Sequence, residues 1–195
     1  KEDLGTTTPE VEYNLTRIDD RIHKMETLID NLLAYARAGK ATQDTQVIDM
    51  HKLISNVTEL LDLPAGMKLH KDIQLDTIVT AWTPLETVVR NLLSNAIKHH
   101  DTKDGTIEIR CVAENTLCHI TVTDDGPGIP AEAYERIFSL FQTTSDDKSG
   151  SGIGLSISRR LAQAHGGRIS VSSNEPQKGS TFHVWWPRFA RKENL

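Results

Sequence analysis

The chain has 195 residues and a formal net charge of −5, with 37% hydrophobic and 25% charged residues. This balance is typical of a folded globular protein and excludes the disordered, collagen-like and low-complexity classes. The mild acidity argues against nucleic acid as a partner, and no apolar run approaches the roughly 18 residues of a membrane span, so we expect no membrane contact.

A long amphipathic helix is predicted from Glu10 to about Ala38. Its apolar residues recur every three or four positions, at Leu15, Ile18, Ile22, Met25, Ile29, Leu32 and Ala36. This spacing is typical of a helix that packs lengthwise on other helices. Because one helix cannot bury its own stripe, we expect partners from a second copy or from sequence outside this chain. Packing on its own domain remains the alternative.

Mixed helices and strands are predicted after a polar linker over residues 41–46. Asp49 is expected to cap the first helix. The apolar face of that helix carries Met50, Leu53, Ile54, Val57, Leu60 and Leu61. Short strands are expected near Met67–Ile73 and Ile78–Ala81.

A second helix in this part is expected to run to about His99, with Thr83 as its cap and Pro84 in its first turn. An antiparallel hairpin is predicted over Thr106–Ala113 and Leu117–Thr123. The rest is predicted as two helices and two strands, over Ala131–Phe138, Gly154–His165, Arg168–Ser173 and Thr181–Trp186. Together these elements predict an α+β sandwich.

Cysteine usage predicts neither a disulfide scaffold nor a metal site. Cys111 and Cys118 lie on the apolar side of the two hairpin strands, so we interpret both as core residues. Two cysteines are too few for a disulfide framework, which favours a reducing compartment.

Three segments carry candidate chemistry. On the helix that ends near His99, the side chains of Asn91, Asn95 and Lys98 fall within an arc of about 60°. Carboxamide oxygens suit a hard cation and the ammonium suits phosphate, although a solvated helix face explains this stripe as well.

The other two segments are rich in glycine. Residues 124–129, Asp-Asp-Gly-Pro-Gly-Ile, follow a strand and form a turn that lets a flat ligand approach the backbone. Residues 150–155, Gly-Ser-Gly-Ile-Gly-Leu, lead into a helix, whose first N–H groups suit phosphate. Neither a Rossmann fingerprint nor a P-loop fits, because no apolar strand precedes these glycines and no Gly-Lys-Ser/Thr follows them.

These three segments, together with Phe138-Ser-Leu-Phe at residues 138–141, resemble the four boxes of sensor histidine kinases, in the family's order. The N box is similar to 91–99, the G1 box to 124–129, the F box to 138–141 and the G2 box to 150–155. The strand start 179–182 also matches, and residues 10–39 resemble the second helix of the dimerisation hairpin.

The resemblance implies a Bergerat-type ATP-binding fold, in which helices cover one face of a mixed, largely antiparallel sheet. By this analogy Asp124 would accept the adenine amino group, and Thr181 would support that contact through water. Gly126 and Gly128, with Ile129, would lie close to the base.

The resemblance also implies a phosphate end that holds ATP and Mg²⁺. Asn95 would bind the Mg²⁺ with Asn91 beside it, Lys98 and His99 would face the phosphates, and Lys148 would reach the γ-phosphate. Asn91, Lys98 and Lys148 are the candidate catalytic residues.

A lid over residues 142–149 is implied as well. The lid would be hinged by Gly150, Gly152 and Gly154 and anchored by Phe138 and Phe141 in apolar contacts. Ser151, Ile153 and Leu155 complete the expected nucleotide contacts.

The expected function is the kinase core of a two-component sensor. The alternative of an ATP hydrolase is disfavoured, because related hydrolases carry a glutamate as general base where this chain has Asn91. His23 is interpreted as a surface residue of the second hairpin helix, so we expect the phosphoacceptor helix to be missing and the chain not to label itself. A nucleotide-binding module without transfer activity remains a second alternative.

The resemblance predicts four regions: a partial hairpin over 1–40, a linker over 41–46, the ATP domain over 47–190 and a tail over 191–195. Expected partners are a response regulator, the missing hairpin helix and a second protomer that packs along residues 10–38. We expect the chain to act in the cytoplasm.

Overall fold

The computed structural model describes residues 9–37, 44–142, 152–174 and 178–189. Its helices and strands, in chain order, are α1 (Pro9–Arg37), β1 (Gln46–Asp49), α2 (Met50–Glu59), β2 (Lys68–Ile73), β3 (Thr77–Thr80), α3 (Trp82–Lys98), β4 (Thr106–Glu114), β5 (Leu117–Asp124), α4 (Gly154–Ala164), β6 (Arg168–Ser173) and β7 (Ser180–Pro187).

The main sheet has five strands in the order β2-β4-β5-β7-β6. The pair β2–β4 is parallel and the other neighbours are antiparallel. A second, two-stranded sheet joins β1 to β3. Helices pack on this mixed sheet, which confirms the predicted α+β fold class.

The two faces of the main sheet differ in burial. On the inner face, which α3 and α4 cover, alternate side chains of β5 and β7 are buried: Cys118, Ile120, Val122, Phe182, Val184 and Trp186. The residues between them point to the outer face and are partly exposed, as in His119 and His183. This alternation decides which polar residues can reach the helix layer.

The α2 cap is confirmed, but the apolar face of α2 is shorter than expected. The Asp49 side chain accepts a hydrogen bond of 3.0 Å from the Lys52 N–H. The helix ends at Glu59, and Leu60 is 73% exposed, so its assignment to the buried face is wrong. The strand β1 was not predicted, because Gln46–Asp49 has only one buried side chain, that of Ile48.

The predicted start of α3 is corrected. The helix begins at Trp82, after Ala81 as N-cap, and no side chain in the described part of the chain caps it. Thr83 already lies inside the first turn, where its carbonyl accepts from Thr87 Oγ1 at 2.8 Å. Pro84 lies in that turn as expected, since its missing N–H has no helical partner to lose there.

The β4–β5 hairpin and its two cysteines are confirmed. Cys111 and Cys118 are fully buried free thiols, with their Sγ atoms 3.1 Å apart. The hydrogen bond with Cys111, together with burial, raises the pKa of the Cys118 thiol far above its ordinary value. Both cysteines therefore serve as core residues.

The helix predicted over Ala131–Phe138 is instead two 3₁₀ turns, at Ala131–Ala133 and Arg136–Phe138. The Ala133 N–H donates to the Pro130 carbonyl at 2.8 Å, which is an i→i+3 contact. Such short i→i+3 turns are common as connectors, where too few residues are available for an α-helix.

The long helix α1 contacts α4 but leaves much of its apolar stripe exposed. The side chains of Leu15, Ile18, Ile22, Met25 and Ile29 are each between 48% and 62% exposed. The side chains of Leu32, Ala36 and His23 lie outside the described part of the structure. In the regions that are described, no helix has the length and apolarity needed to cross a bilayer.

Candidate functional site

The candidate site lies where the C-terminal half of α3, the end of β5 and the start of α4 meet. Asn91 connects the two helices: its Nδ2 donates to the Gly154 carbonyl at 3.0 Å and lies 3.2 Å from Ser158 Oγ. Asn95, one turn further along α3, is half-buried on the same stripe, whereas Lys98 and His99 are exposed. At Asn91 the predicted polar stripe therefore contacts the start of α4.

Asp124, the last residue of β5, directs its carboxylate to the inner face. The Gly126 N–H donates to Asp124 Oδ1 at 3.0 Å, and the Ser180 N–H donates to the same carboxylate. Burial raises the pKa of Asp124 above its ordinary value, and the two N–H donors act against this rise. A partly desolvated carboxylate is a strong acceptor for an amine in the cleft.

Thr181 does not reach Asp124's side of the sheet, so its expected role is wrong. β7 begins one residue earlier than predicted, and Ser180 faces inward with 1% exposure. Thr181 faces outward and contacts Thr123 Oγ1 at 2.9 Å. The Ser180 hydroxyl has no hydrogen-bond partner among the described residues, which makes Ser180 the residue that the sequence interpretation missed.

His100 and Asp125 clamp the glycine turn to the end of α3. The His100 side chain is 3% exposed, and its Nε2 lies 2.8 Å from Asp125 Oδ1. The same oxygen accepts from the Thr106 N–H at 2.7 Å. Burial works to raise the pKa of Asp125, but these bonds outweigh burial, so the pKa is lowered. No role for His100 is predicted from the sequence.

The glycine turn passes close to the β6–β7 connection. Gly128 has a φ of 79°, and a Cβ there would lie 3.2 Å from the Gly179 carbonyl oxygen. Gly179 has a φ of 103°, and a Cβ there would overlap the Asp124 carbonyl. Glycine is required at both positions for the close approach. Ile129 packs partly buried against the core.

The start of α4 is joined to Phe141, at the other end of the predicted lid. The Phe141 N–H donates to the Gly152 carbonyl at 3.0 Å, and Gly152 has a φ of 64°. Phe138 is buried and meets Phe182 edge-on, with ring centroids 6.4 Å apart. Phe141 is 56% exposed, so the expected apolar anchoring is wrong for this ring.

The remaining predicted site residues divide into two groups. Ile153 is buried and Leu155 packs against the core, where both orient α4. Lys148, Gly150 and Ser151 lie outside the described residues. Within the described ranges, no group of three or more histidine, cysteine or acidic side chains could hold a metal ion.

The comparisons with known proteins show the family to which the chain belongs. Residues 81–190 match the family described as histidine kinase-, DNA gyrase B- and HSP90-like ATPase. The aerobic respiration control sensor protein ArcB of Escherichia coli (strain K12) is 34% identical over 154 residues, or 73% of this chain and 20% of ArcB. The adaptive-response sensory kinase SasA of Prochlorococcus marinus (strain MIT 9215) is 35% identical over 183 residues, or 87% of this chain and 48% of SasA.

Solved structures are similar as well. Full-length ShkA in complex with AMPPNP has a TM-score of 0.78 and 27% identity, covering 97% of this chain and 41% of ShkA. The histidine kinase ThkA in complex with the response regulator TrrA has a TM-score of 0.69 and 25% identity, covering 96% of this chain and 53% of that chain.

The chain therefore spans between a fifth and about half of the curated relatives that it matches. The family match extends over more than half of this chain. The protein belongs to the histidine kinase-, DNA gyrase B- and HSP90-like ATPase family, and it carries the ATP-binding domain of a sensor histidine kinase.

Proposed function

We propose that the chain binds ATP in the cleft between α3, α4 and the end of β5, and acts as the kinase core of a two-component sensor. The observation that carries this proposal is the inward-facing Asp124 carboxylate beside a close-packed glycine turn. The similarity to ShkA, a structure with a bound ATP analogue, supports it.

The adenine would bind at the Asp124 end of the cleft. Its amino group would donate to the Asp124 carboxylate, while Gly126 and Gly128 let the base approach the backbone. Ser180, rather than Thr181, would provide the second polar group, because its buried hydroxyl lies on the inner face beside Asp124. Ile129 would supply an apolar contact at the edge of the base.

The phosphates would lie between the start of α4 and the polar stripe of α3. The first N–H groups of α4 and the Lys98 ammonium favour negative charge there. Mg²⁺ fits the donors present, since Asn95 offers a half-buried amide oxygen and this ion also takes oxygens from phosphate and water. When bound, Mg²⁺ would neutralise charge on the phosphates. Lys148 stays a candidate for the γ-phosphate.

Transfer to a histidine is favoured over hydrolysis by the chemistry of Asn91. A carboxamide accepts no proton from water, and Asn91 already uses its Nδ2 to hold Gly154 and Ser158. The acceptor imidazole would attack the γ-phosphorus in line, forming a P–N bond as the bond to the ADP oxygen breaks. Positioning and charge neutralisation would supply most of the rate.

The acceptor histidine is proposed to lie outside this chain. We infer that residues 1–40 are part of a dimerisation hairpin joined by a linker over 41–46 to an ATP domain over 47–190, with a tail over 191–195. The exposed apolar stripe of α1 would pack on the missing hairpin helix and on a second protomer along residues 10–38. The whole sensor would pass its phosphoryl group to a response regulator, and we propose that this chain acts in the cytoplasm; ThkA was solved in complex with the response regulator TrrA.

Titration calorimetry of the whole chain with ATP·Mg²⁺ tests nucleotide binding. We expect binding at one site, with the dissociation constant raised at least about tenfold in Asp124→Asn, because a donor then faces the amino group. Thr181→Val is the matched control on the outer face and should bind as tightly as the wild type. Equal affinity in Asp124→Asn and the wild type would overturn the adenine assignment.

Incubation with ATP labelled at the γ-phosphate tests the proposed position of the acceptor. We expect no stable acid-labile label on this chain alone. Label on His23 would contradict the inference that this residue lies on the helix surface away from the reaction.

A further inference from the structure

We propose that Asn174 is a positioning residue for adenine recognition, and that it acts through the backbone of Asp124. This inference rests on the proposed ATP site. Asn174 directly follows β6, and its backbone N–H lies 3.3 Å from the Gly179 carbonyl of the β6–β7 connection. Its side chain bridges the ends of β5 and β7.

The Asn174 amide supplies a hydrogen bond at Asp124 on the side of β5 where pairing with β7 has ended, while Asp124 remains paired with Ile107 of β4 on the other side. The β5–β7 ladder ends at the pair Thr123 and Thr181, one residue before Asp124. Asn174 Nδ2 donates to the Asp124 carbonyl oxygen at 2.8 Å. The carbonyl is therefore held beyond the last residue that pairs with β7, at the point where the chain turns into the glycine segment.

The orientation of every hydrogen in this network follows from Asp124. A carbonyl oxygen only accepts, so the NH₂ of Asn174 faces Asp124 and its Oδ1 faces Thr181. Thr181 Oγ1 donates to Asn174 Oδ1 at 2.6 Å. Because Thr181 has a single hydroxyl proton, Thr123 must donate to Thr181 across 2.9 Å. The amide is thus fixed by partners on both sides.

Holding the Asp124 carbonyl also holds its carboxylate. The carbonyl is restrained on the outer side by Asn174, and the carboxylate is restrained on the inner side by the Gly126 N–H at 3.0 Å. Without Asn174, the peptide between Asp124 and Asp125 keeps only the longer bond of 3.3 Å from the Asp125 N–H to the Thr106 carbonyl among the described residues, so its orientation is less restrained. A carboxylate that is free to turn discriminates less well between a 6-amino purine, which donates, and a 6-oxo purine, which accepts.

Competition binding of ATP and GTP to the whole chain tests this role. The wild type should prefer ATP, and we expect Asn174→Ala to lower the ratio of ATP to GTP affinity by about three- to tenfold, the effect of one hydrogen bond. Both nucleotides are measured on one preparation, so any unfolded fraction cancels in the ratio. Asn174→Leu, which keeps the side-chain volume, is the second variant in case the alanine variant folds poorly.

Two controls separate positioning from general support of the strands. Thr181→Val breaks the same network but keeps the bond to Asp124, so it should lower thermal stability and leave the ratio unchanged. In an Asp124→Asn background, Asn174→Ala should change the ratio no further. A wild-type ratio in both Asn174 variants, with Asp124→Asn still defective, overturns this inference alone; failure of the wild type to bind ATP overturns the proposed function itself.

Discussion

The polar side chains on the two faces of the main sheet differ in how far their hydrogen bonds are satisfied by the protein. On the inner face, the Asp124 carboxylate accepts from the Gly126 N–H, and the buried Ser180 hydroxyl has no hydrogen-bond partner among the described residues. On the outer face, Thr123 and Thr181 satisfy each other, and His183 lies 3.2 Å from His119 and 2.9 Å from Ser172. A polar group with unused hydrogen-bonding capacity at a buried position marks function, whereas a satisfied network on an open face marks structure.

The largest effect on stability is expected from substitution of His100, which connects the end of α3 to the glycine turn after β5. His100→Ala should lower the free energy of unfolding by about 2–4 kcal/mol, because it leaves a cavity at a buried side chain and removes one of the two hydrogen bonds to Asp125 Oδ1, the other being that from the Thr106 N–H. Chemical denaturation of the whole chain measures this change. The exposed neighbour His99 is the matched control, and His99→Ala should change stability by no more than about 0.5 kcal/mol. Equal effects of the two alanine variants would contradict the claim that the contact between His100 and Asp125 stabilises the fold.

Acidification should affect the partly buried histidines and Asp124 in opposite ways. Burial lowers the pKa values of His119, His165 and His183 below the ordinary value. The unfolded chain then binds protons at a higher pH than the folded chain, so stability from these histidines is present above their ordinary pKa and is lost as the pH falls. Melting temperatures at pH 7.5 and 5.5 should differ by a few degrees, with a smaller difference in His183→Gln.

Asp124 should respond with the opposite sign. Its pKa is raised, so protonation on acidification relieves the cost of a buried charge and stabilises the fold slightly. The same protonation removes the acceptor for adenine. Affinity for ATP should therefore begin to fall at a higher pH than for an ordinary aspartate, and an affinity that stays constant until the ordinary aspartate range would contradict the environment described for this carboxylate.

The smallest expected effect is on ATP affinity, when the hydroxyl of Ser180 or of its neighbour Thr181 is removed. Ser180→Ala should weaken ATP binding by about two- to fivefold, because one neutral hydrogen bond to the bound ligand is lost. Thr181→Val should leave the affinity unchanged, since its hydroxyl bonds only to Thr123 and Asn174 among the described residues. If Thr181→Val weakened ATP binding and Ser180→Ala did not, Thr181 rather than Ser180 would be the residue that faces the nucleotide.

The fold and the order of the motifs could be predicted from the sequence, because apolar periodicity and glycine turns are local signals. The Asp49 cap and the buried cysteines are of this kind. The side of β7 on which Thr181 lies could not be predicted, since Ser180 and Thr181 are both polar and a shift of one residue in the strand start exchanges the faces.

Contacts between segments that are distant along the chain could not be predicted from the sequence either. His100 meets Asp125 across 25 positions, and Asn174 meets Asp124 across 50. No local pattern distinguishes His100 from its exposed neighbour His99. Both residues become functional candidates only because the topology brings the end of α3 and the β6–β7 connection to the end of β5.

Backbone amide shifts from an NMR titration with ADP·Mg²⁺ test the central claim most directly, that the inner face holds the nucleotide. We predict saturable shifts at Gly126, Gly128, Asn95 and Gly154, with His119 and Trp185 on the outer face unaffected. Absence of shifts at the glycine turn, or largest shifts on the outer face, would contradict the account.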